Sequence, residues 1–141
     1  MQRAERNISR TFVLVSASNP RGIVGFYCLS NYAIATTGLP DALSKGLPRL
    51  QPAPAILLGQ LAVDHAYQGA GLGKILLHHA LRQALRASFL SAACGVVVHA
   101  ATEDLVPFYS RYGFIALPSN PSHLIAPMTL IARMFPNESA G

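Results

Sequence analysis

A glycine-rich hexapeptide at residues 68–73, Gln-Gly-Ala-Gly-Leu-Gly, constrains the fold of this chain more than any other feature. An apolar run at residues 56–63 leads into it, and an amphipathic pattern typical of a helix follows it. Glycines let the backbone approach a ligand closely, and the free N–H groups at the start of a helix attract anions. The sequence therefore predicts a strand, a tight turn and a helix start that together bind a phosphate group.

Two well-known phosphate-binding loops do not fit this hexapeptide. A P-loop requires glycine where the chain has Gln68, and serine or threonine where it has Ile75. A dinucleotide-binding turn that begins at Gly69 requires a small residue where the chain has Lys74. It also requires an acidic residue about twenty positions later, and residues 88–98 contain none. The sequence thus excludes the Walker A and the Rossmann kinds of nucleotide site.

A second motif lies at residues 101–114 and ends in Phe-Tyr-Ser-Arg-Tyr-Gly-Phe. Between the two motifs, residues 95–100 form the run Gly-Val-Val-Val-His-Ala, which is typical of a fully buried strand. Over residues 56–135 the pattern predicts the order strand, loop, helix, strand, helix, turn, strand.

With the Gln-x-x-Gly-x-Gly loop, the second motif and this order of elements, the chain resembles the GNAT family of acyl-CoA-dependent N-acetyltransferases. The resemblance implies an α/β (α+β) domain with a mixed, mostly antiparallel sheet, a splayed central strand pair and flanking helices. It also implies acetyl-CoA as co-substrate. The pantetheine arm would lie along the end of the strand that leads into the glycine-rich loop, and the pyrophosphate would bind to the loop itself. The residues expected to contact this cofactor are Leu61, Ala62, Val63, Gln68, Gly69, Ala70, Gly71, Leu72, Gly73, Lys74 and Phe108.

A closer resemblance within the family is to the GNAT toxins of bacterial toxin–antitoxin pairs, which acetylate aminoacyl-tRNA. It rests on the sequence at residues 9–14, 57–64, 67–73 and 127–130. This resemblance implies aminoacyl-tRNA as substrate, a ribbon-helix-helix antitoxin as partner, and a homodimer. Members usually carry a helical segment before the first strand, and only residues 1–10 precede it here. We therefore expect a shortened N-terminus.

Composition predicts one domain over residues 1–141, because half of the residues are apolar and can form a single core. The net charge of +5 suits an anionic partner such as CoA or nucleic acid, and equally a role in solubility alone. Cys28 and Cys94 lie in apolar runs without metal or redox spacing, which predicts buried, reduced thiols and no metal site. Because no apolar stretch reaches the ~18 residues of a membrane span and no signal segment is present, we expect a cytoplasmic protein.

The N-terminal half reads as a meander of short strands. Residues 11–15 and 22–29 form a predicted hairpin with a polar turn at residues 16–21, and a third strand is expected at residues 31–36. Four prolines within residues 38–54 exclude a long helix or a central strand for most of that segment. A single helical turn is expected near residues 41–44.

The helix predicted from Leu72 to about Phe89 has an apolar face and a basic face. The apolar face consists of Leu72, Ile75, Leu76, Ala80, Leu81, Ala84 and Leu85. The basic side chains recur every four residues, and this basic stripe consists of Lys74, His78, Arg82 and Arg86. It is either a solvated helix face or a track for nucleic-acid phosphates, aided by Arg49 and by the group Arg3, Arg6 and Arg10.

The resemblance assigns Tyr109 the role of protonating the departing CoA thiolate. A phenol and a thiol have ordinary pKa values of about 10 and 8.5, and a nearby charge would narrow this gap. Phe108 and Phe114 are expected to pack their helix on the sheet, and Tyr112 is expected in the core or at the rim.

No carboxylate lies within residues 56–63, where many GNAT enzymes carry a glutamate that acts as a base. A lysine amine, with an ordinary pKa of about 10.4, is protonated at neutral pH, whereas an α-amine titrates near 7.7–8.0. An aminoacyl-tRNA α-amine therefore needs little help, although His65, His99 or water could act as a base. In the absence of metal spacing, the five histidines are otherwise expected to be surface or core residues: His65, His78, His79, His99 and His123.

The sequence therefore predicts an acetyltransferase that moves acetyl from acetyl-CoA to the α-amine of aminoacyl-tRNA and so blocks translation. Two alternatives stay open. One is a GNAT enzyme that acetylates a small amine or a protein N-terminus, and the other is a catalytically silent module that binds CoA or an antitoxin.

Overall fold

The computed structural model describes residues 9–44 and 52–138. Its strands are β1 (Arg10–Ser16), β2 (Asn19–Ile34), β3 (Ala53–Val63), β4 (Gly95–His99), β5 (Ile115–Leu117) and β6 (Asn120–Pro127). Its α-helices are α1 (Asp41–Ser44), α2 (Leu72–Ser88), α3 (Val106–Ser110) and α4 (Met128–Met134). Short 3₁₀ helices lie at Thr36–Gly38, His65–Tyr67 and Glu103–Leu105. The predicted order of elements from β3 onward is confirmed.

The six strands form one mixed sheet in the order β1-β2-β3-β4-β6-β5. All neighbours are antiparallel except β3 and β4, which are parallel and are joined by the crossover through α2. This parallel pair is in register only from Ile56 opposite Val96 to Leu58 opposite Val98. Beyond Leu58, β3 continues for five residues beside β2 alone. The predicted mixed sheet with a splayed central pair is confirmed.

The meander expected in the N-terminal half is wrong in two respects. The second and third predicted strands are a single 16-residue strand, β2, and the turn before it is only Ala17–Ser18. Pairing with β1 passes from Val15 opposite Ile23 to Ser16 opposite Asn19, so that three residues of β2 bulge out. A bulge admits Pro20, which has no N–H to donate to a ladder. The proline therefore marks an irregularity within a strand and not the loop that the sequence suggested.

The proline-rich segment agrees in part with its prediction. The expected helical turn is present as α1. However, β3 begins at Ala53, three residues before the predicted run, and the carbonyl of Pro54 accepts a hydrogen bond of 2.8 Å from the Cys94 N–H. The remaining basic candidates of the N-terminal half, Arg49 and the pair Arg3 and Arg6, lie outside the described residues.

Side chains alternate between the two faces of the sheet, and each face carries its own apolar cluster. Helices α2 and α4 cover one face, here called the helix face, where they pack on residues such as Tyr27, Leu58, Val96 and Val98. The segment around Leu39 covers part of the other face, here called the loop face. Its cluster consists of Ile34, Leu39, Ala53, Ala55, Val97, Leu117 and Ile125.

Helix α2 confirms the predicted span but not every member of the predicted apolar face. Its buried residues are Leu76, Leu77, Ala80, Leu81, Ala84 and Leu85. Ile75, which was assigned to that face, is 54% exposed, and Leu77, which was left out, is 1% exposed. At about 100° per residue the buried side chains cover half of the helix, and Ile75 lies opposite their centre.

The two thiols are less buried than predicted. Cys28 and Cys94 are both free and half-buried, and burial raises the pKa of the Cys94 thiol. In the part of the chain that the structure describes, no helix combines the length and the apolar character needed to cross a membrane.

Candidate active site

Nine of the eleven cofactor residues expected from the sequence line one cleft of about 540 Å³ on the helix face, and Ala62 and Ala70 do not. This volume lies within the range of ~300–1,000 Å³ that is typical of ligand pockets. One wall is the end of β3, the second is the glycine loop with the start of α2, and the third is α3. The lining residues are Leu61, Val63, Tyr67, Gln68, Gly69, Gly71, Leu72, Gly73, Lys74, Leu105, Phe108, Tyr109, Arg111 and Tyr112.

The glycine loop owes its shape to two left-handed residues. Gly69 has φ 88° and Gly71 has φ 78°, a region that costs other residues about 1–2 kcal/mol. Gly71 is the N-cap of α2, and no side chain caps the helix there. The first N–H groups of α2 therefore have no capping acceptor and remain available to a ligand in the cleft.

Two polar side chains hold the loop against the end of β3. Gln68 Nε2 donates a hydrogen bond of 3.1 Å to the carbonyl of Val63. Asp64 Oδ1 accepts one of 3.2 Å from the Ala66 N–H and so caps the 3₁₀ helix that precedes the loop. Gln68, predicted as a cofactor contact, lines the cleft, and its side-chain amide also ties the loop to β3.

The splay leaves part of β3 without a second strand partner. Its residues after Leu58 pair with β2 on one side, and no described strand pairs with them on the side toward β4. The register with β2 shifts between Leu29 opposite Leu58 and Cys28 opposite Gln60, which leaves Gly59 in a bulge. An extended ligand can add to such an open edge by backbone hydrogen bonds. Ala62 and Ala70 do not line the cleft, so any contact from them would use backbone groups.

Aromatic side chains of α3 and the turn after it form the third wall. The rings of Phe108 and Tyr109 meet edge-to-face at 5.1 Å between centroids, and those of Phe108 and Tyr112 at 5.6 Å. A Cβ built on Gly73 would lie 3.8 Å from Phe108, an ordinary contact distance, so the start of α2 lies next to α3 at the cleft. Phe108 therefore serves both the packing and the cleft, as its two predicted roles require.

Tyr109 is 7% exposed and lines the cleft. Burial raises the pKa of its phenol, so the narrowing of the pKa gap expected from a nearby charge is not observed. No described residue forms a hydrogen bond with its Oη, and no fully buried polar side-chain atom among these residues lacks a partner. The hydroxyl group is thus open to the cleft, where it stays protonated at neutral pH and can donate.

Four lining residues were not predicted as cofactor contacts: Tyr67, Leu105, Arg111 and Tyr112. Arg111 and Tyr112 belong to the second motif, so proximity to Tyr109 in sequence was a usable signal. Tyr67 and Leu105 were also adjacent to or within the two motifs, but whether they reach the cleft depends on how the two 3₁₀ helices that contain them pack. The cations among the lining residues are Lys74 and Arg111, which suits a polyanionic ligand.

The basic stripe is divided by the C-terminal segment. Glu138 accepts hydrogen bonds from Arg86 at 2.8 and 3.1 Å and lies 4.0 Å from Arg82. The ring of Phe135 lies under Arg82 at 5.5 Å and beside His78 at 4.7 Å. The hydrogen bond from Arg86 and the charge of both arginines lower the pKa of the Glu138 carboxyl. Of the four residues of the stripe, Lys74 alone lies in the cleft.

The cleft contains no carboxylate among the residues described, since none of its lining residues is acidic. Within residues 9–44 and 52–138 there is also no group of three or more histidine, cysteine or acidic side chains that could hold a metal ion. Neither of the two candidate bases lines the cleft: His65 begins a 3₁₀ helix, and His99 ends β4 beside the splay.

A second cavity of similar size, about 520 Å³, lies between the start of β1, the middle of β2 and the C-terminal half of α2. Its lining includes Arg10, Asn31 and Arg86 but no glycine loop and no helix N-terminus. The two cavities cannot be distinguished by volume. Of the two, only the cleft at residues 68–73 combines free backbone donors with the phenol of Tyr109. We therefore assign the candidate active site to that cleft.

Two relatives are similar to this chain over about three quarters of its length. The chain is 35% identical over 103 residues to the tRNA-acetylating toxin of Mycobacterium tuberculosis, which covers 73% of this chain and 61% of the relative. It is 29% identical over 119 residues to the probable toxin TacT of Sinorhizobium fredii, over 77% of this chain and 64% of the relative. The chain thus spans less than two thirds of the length of these two relatives.

Solved structures superpose over nearly the whole chain. A tyrosine-to-phenylalanine mutant of KacT matches with a TM-score of 0.84 and 35% identity, over 91% of this chain and 76% of that one. AtaT complexed with acetyl-methionyl-tRNAfMet matches with a TM-score of 0.83 and 30% identity, over 92% and 77%. AtaTR bound with acetyl-CoA matches with a TM-score of 0.78 and 30% identity, over 92% and 76%.

A model of the acetyltransferase (GNAT) domain matches residues 7–116, well over half of the sequence. The splayed strand pair, the glycine loop and the tyrosine motif all lie within or beside that match. On this evidence the chain belongs to the GNAT acetyltransferase family.

Proposed function

We propose that this chain transfers an acetyl group from acetyl-CoA to the α-amine of aminoacyl-tRNA and so acts as a translation-blocking toxin. The observation that carries the proposal is a cleft in which uncapped helix amides and an open phenol converge, without any carboxylate among the described lining residues. Among the relatives, one is named a tRNA-acetylating toxin and another was solved with acetyl-methionyl-tRNAfMet. These names support the same acceptor here.

In this proposal the cleft holds the donor along its length. The pyrophosphate binds the N–H groups of residues 68–73, next to the cations of Lys74 and Arg111. The pantetheine arm adds to the open edge of β3 at residues 61–63 and brings the thioester toward the point where β3 and β4 separate. The AtaTR structure with bound acetyl-CoA supports this choice of donor.

Tyr109 acts as the acid in the proposed reaction. When the amine attacks the thioester, the C–S bond breaks and the sulfur atom takes up negative charge. The raised pKa of the phenol would by itself make it a poor acid at equilibrium. Burial disfavours the CoA thiolate in the same way, however, so the pKa values of the phenol and of the thiol rise together. Proton transfer between them therefore stays feasible over a hydrogen-bond distance.

The lack of a carboxylate base favours an acceptor amine of which an appreciable fraction is unprotonated at neutral pH. An α-amine with a pKa near 7.7–8.0 is about one tenth to one sixth unprotonated at pH 7, whereas a lysine side chain near 10.4 is less than about 0.1% unprotonated. None of the acidic residues of the described chain lines the cleft: Asp41, Asp64, Glu103, Asp104 and Glu138. This argument from the missing base is independent of the relatives' names.

The tRNA backbone would follow the basic stripe from Lys74 toward the C-terminal end of α2. Lys74 and His78 are exposed, so phosphates can reach them. Arg82 and Arg86 already face Glu138, so this carboxylate must separate from them before they contribute fully. Arg49 stays a proposed member of the interface and lies outside the described residues.

The proposal extends to partners and compartment. A toxin of this kind would act in the cytoplasm, where aminoacyl-tRNA is found, as a homodimer held inactive by a ribbon-helix-helix antitoxin. Structures of relatives described as complexes with an antitoxin support such a partner.

The test is to incubate the protein with labelled acetyl-CoA and a mixture of aminoacyl-tRNAs. Label is expected in the N-acetyl-aminoacyl fraction, and its transfer should weaken steeply as salt is added, because phosphate contacts release counterions. A matched mixture of deacylated tRNA and free amino acids is the control. Label found on free amines alone would refute the proposed acceptor.

A second candidate function is acetylation of a small amine or a protein N-terminus. The observation that favours it is the engagement of Arg82 and Arg86 by Glu138, which reduces the positive charge available to RNA. It predicts that transfer is nearly independent of salt. A third outcome, CoA binding with no transfer to any amine of a broad panel, would identify a silent binding module.

A further inference from the structure

Two histidines on neighbouring strands stack at the edge of the splay. His99 ends β4 and lies directly opposite His123 of β6. Their rings are nearly parallel, at 15°, with centroids 3.7 Å apart. On the other side, Tyr32 of β2 places its Oη 3.4 Å from His99 Nε2. Residues from three strands thus form one polar cluster, and none of these residues belongs to either sequence motif.

The cluster lies on the loop face, opposite the cleft. Strand alternation sets this, because Val97 and Ile125, two positions before His99 and two after His123, belong to the loop-face cluster. The last paired residue of β4 before the splay is Val98, opposite Leu58, so His99 is the first residue past the vertex of the gap. A donor thioester that reaches this vertex from the helix face would meet an acceptor amine held in the gap beside His99.

His99 is chemically suited to accept a proton. Its side chain is exposed, so a substrate can reach it. If Nε2–H donates to Tyr32 Oη, then Nδ1 carries the free lone pair. Two stacked imidazoles repel each other when both are protonated, and partial desolvation by the neighbouring residues together with the charge of His123 lowers the pKa of His99. The titratable groups that meet it are Tyr32 and His123, and the β3 residues on this face, Ala55 and Leu57, are apolar.

We propose that His99, stacked on His123 and oriented by Tyr32, is the general base that takes a proton from the acceptor ammonium during acetyl transfer. The inference rests on the proposed function for its acceptor and deepens the description of that same site. In this proposal His99 of β4, on the opposite side of the gap, takes the role of the glutamate that β3 lacks.

The proton balance of the step follows. His99 takes the first proton from the ammonium and passes it to solvent. The amine lone pair then forms the C–N bond while the C–S bond breaks, and Tyr109 donates its proton to the sulfur. The second proton released from the nitrogen restores the Tyr109 phenol. The net reaction converts one ammonium and one thioester into one amide, one thiol and one released proton.

The experiment compares kcat/KM for wild type and His99→Gln between pH 6 and 8.5, with CoA affinity measured by calorimetry. General-base catalysis typically contributes about 10²- to 10⁴-fold, and an acceptor of low pKa needs the lower end. We expect His99→Gln to lose about 10²-fold at pH 6.5 and progressively less toward pH 8.5, where the amine is already unprotonated. CoA affinity is expected to be unchanged, and His65→Gln is the matched control with a wild-type profile.

A second variant separates a catalytic from a structural role. His123→Gln removes the neighbouring positive charge, so the pKa of His99 should rise and the acid limb of the kcat/KM profile should move to higher pH. An unmoved limb, or a His99→Gln loss that is the same at every pH, would overturn the proposal. If wild type acetylates small amines but no aminoacyl-tRNA, the proposed acceptor is wrong, and the same comparison on that amine still decides the role of His99.

Discussion

Gly71→Ala tests whether the loop must keep its left-handed turn for CoA to bind. Gly71 has φ 78° and ψ 14° immediately before α2, and a Cβ built on it meets no atom within 4 Å. The penalty is therefore conformational alone, about 1–2 kcal/mol for an L-residue in this region. Both the wild type and the variant must adopt the left-handed turn in order to bind CoA. The penalty must therefore lower the free energy of unfolding, weaken CoA binding, or be divided between these two quantities.

The two limits are easy to distinguish. If the variant keeps the turn, its unfolding free energy falls by about 1–2 kcal/mol and its affinity for CoA is unchanged. If the turn relaxes, the amides leave the cleft, stability is retained, and the dissociation constant of CoA rises by about 5- to 30-fold. We therefore expect the sum of the two losses, and not either one alone, to be about 1–2 kcal/mol.

Urea unfolding and calorimetric titration with CoA measure the two quantities on the same preparation. Gly38→Ala is the control, since Gly38 has no positive φ and its Cβ would meet only Ser119 Oγ at 3.9 Å. It also reports the gain of about 0.4–1 kcal/mol that alanine brings by restricting the unfolded chain. A summed loss for Gly71→Ala equal to that of the control would refute the claim that the turn presents the amides.

Three further variants test other parts of the structure. Tyr109→Phe removes the phenol proton but keeps the ring, so kcat should fall by at least ~10²-fold while calorimetry finds CoA affinity unchanged; full turnover would exclude the acid role. Gly113→Ala combines φ 92° with a contact to Leu130, so strain of about 1–2 kcal/mol and overpacking of about 1–3 kcal/mol should both lower stability in urea. A midpoint shift no larger than that of the Gly38 control would contradict this. Glu138→Gln frees the two arginines of the stripe, so the slope of log K for tRNA against log salt should steepen by up to ~1.8; an unchanged slope would remove them from the interface. The lowered pKa of Glu138 also means that the ion pair stabilises the fold above the ordinary carboxyl pKa and is lost as the pH falls through the lowered value, so stability profiles of wild type and variant should converge in acid.

The cleft receives positive potential from the backbone as well as from side chains. Uncapped amides at the start of α2 supply positive potential without the entropy cost of holding long side chains in place. Lys74 in the first turn opposes the helix dipole, an unfavourable placement that a bound polyanion would offset. The same first turn contains no acidic residue. The site is thus prepared for an anion even before one binds.

Prediction from the sequence succeeded where a local pattern carries the information. The span of α2, the buried β4 and the order of elements follow from periodicity and residue type within short windows. The error at Ile75 arose because an apolar residue was assigned to the face although its helical angle places it opposite the centre, whereas Leu77, which lies near that centre, was omitted. The continuous β2 was missed because Pro20 reads as a turn unless the bulge that admits it is known.

The candidate site was predictable to the extent that its residues are neighbours in sequence. Gln68 to Lys74 and Phe108 with Tyr109 were identified from two motifs, and the structure brings them to one cleft. The His99 and His123 stack, by contrast, joins residues 24 positions apart through the β4–β6 register. Glu138 reaches the basic stripe because α4 packs on α2. Neither contact can be predicted from residues that are close together in the sequence.

By itself the sequence determined the glycine turn before α2 and the place of Tyr109 in the second motif. The turn is readable because a left-handed backbone favours glycine and because the start of any helix exposes its amides. Only the tertiary structure decided that β3 and β4 separate after Leu58 and Val98, that the cleft opens on one face and the histidine stack on the other, and that Glu138 covers half of the basic stripe. These features depend on strand register and on packing between distant segments, whose energies are sums over contacts that no local pattern specifies.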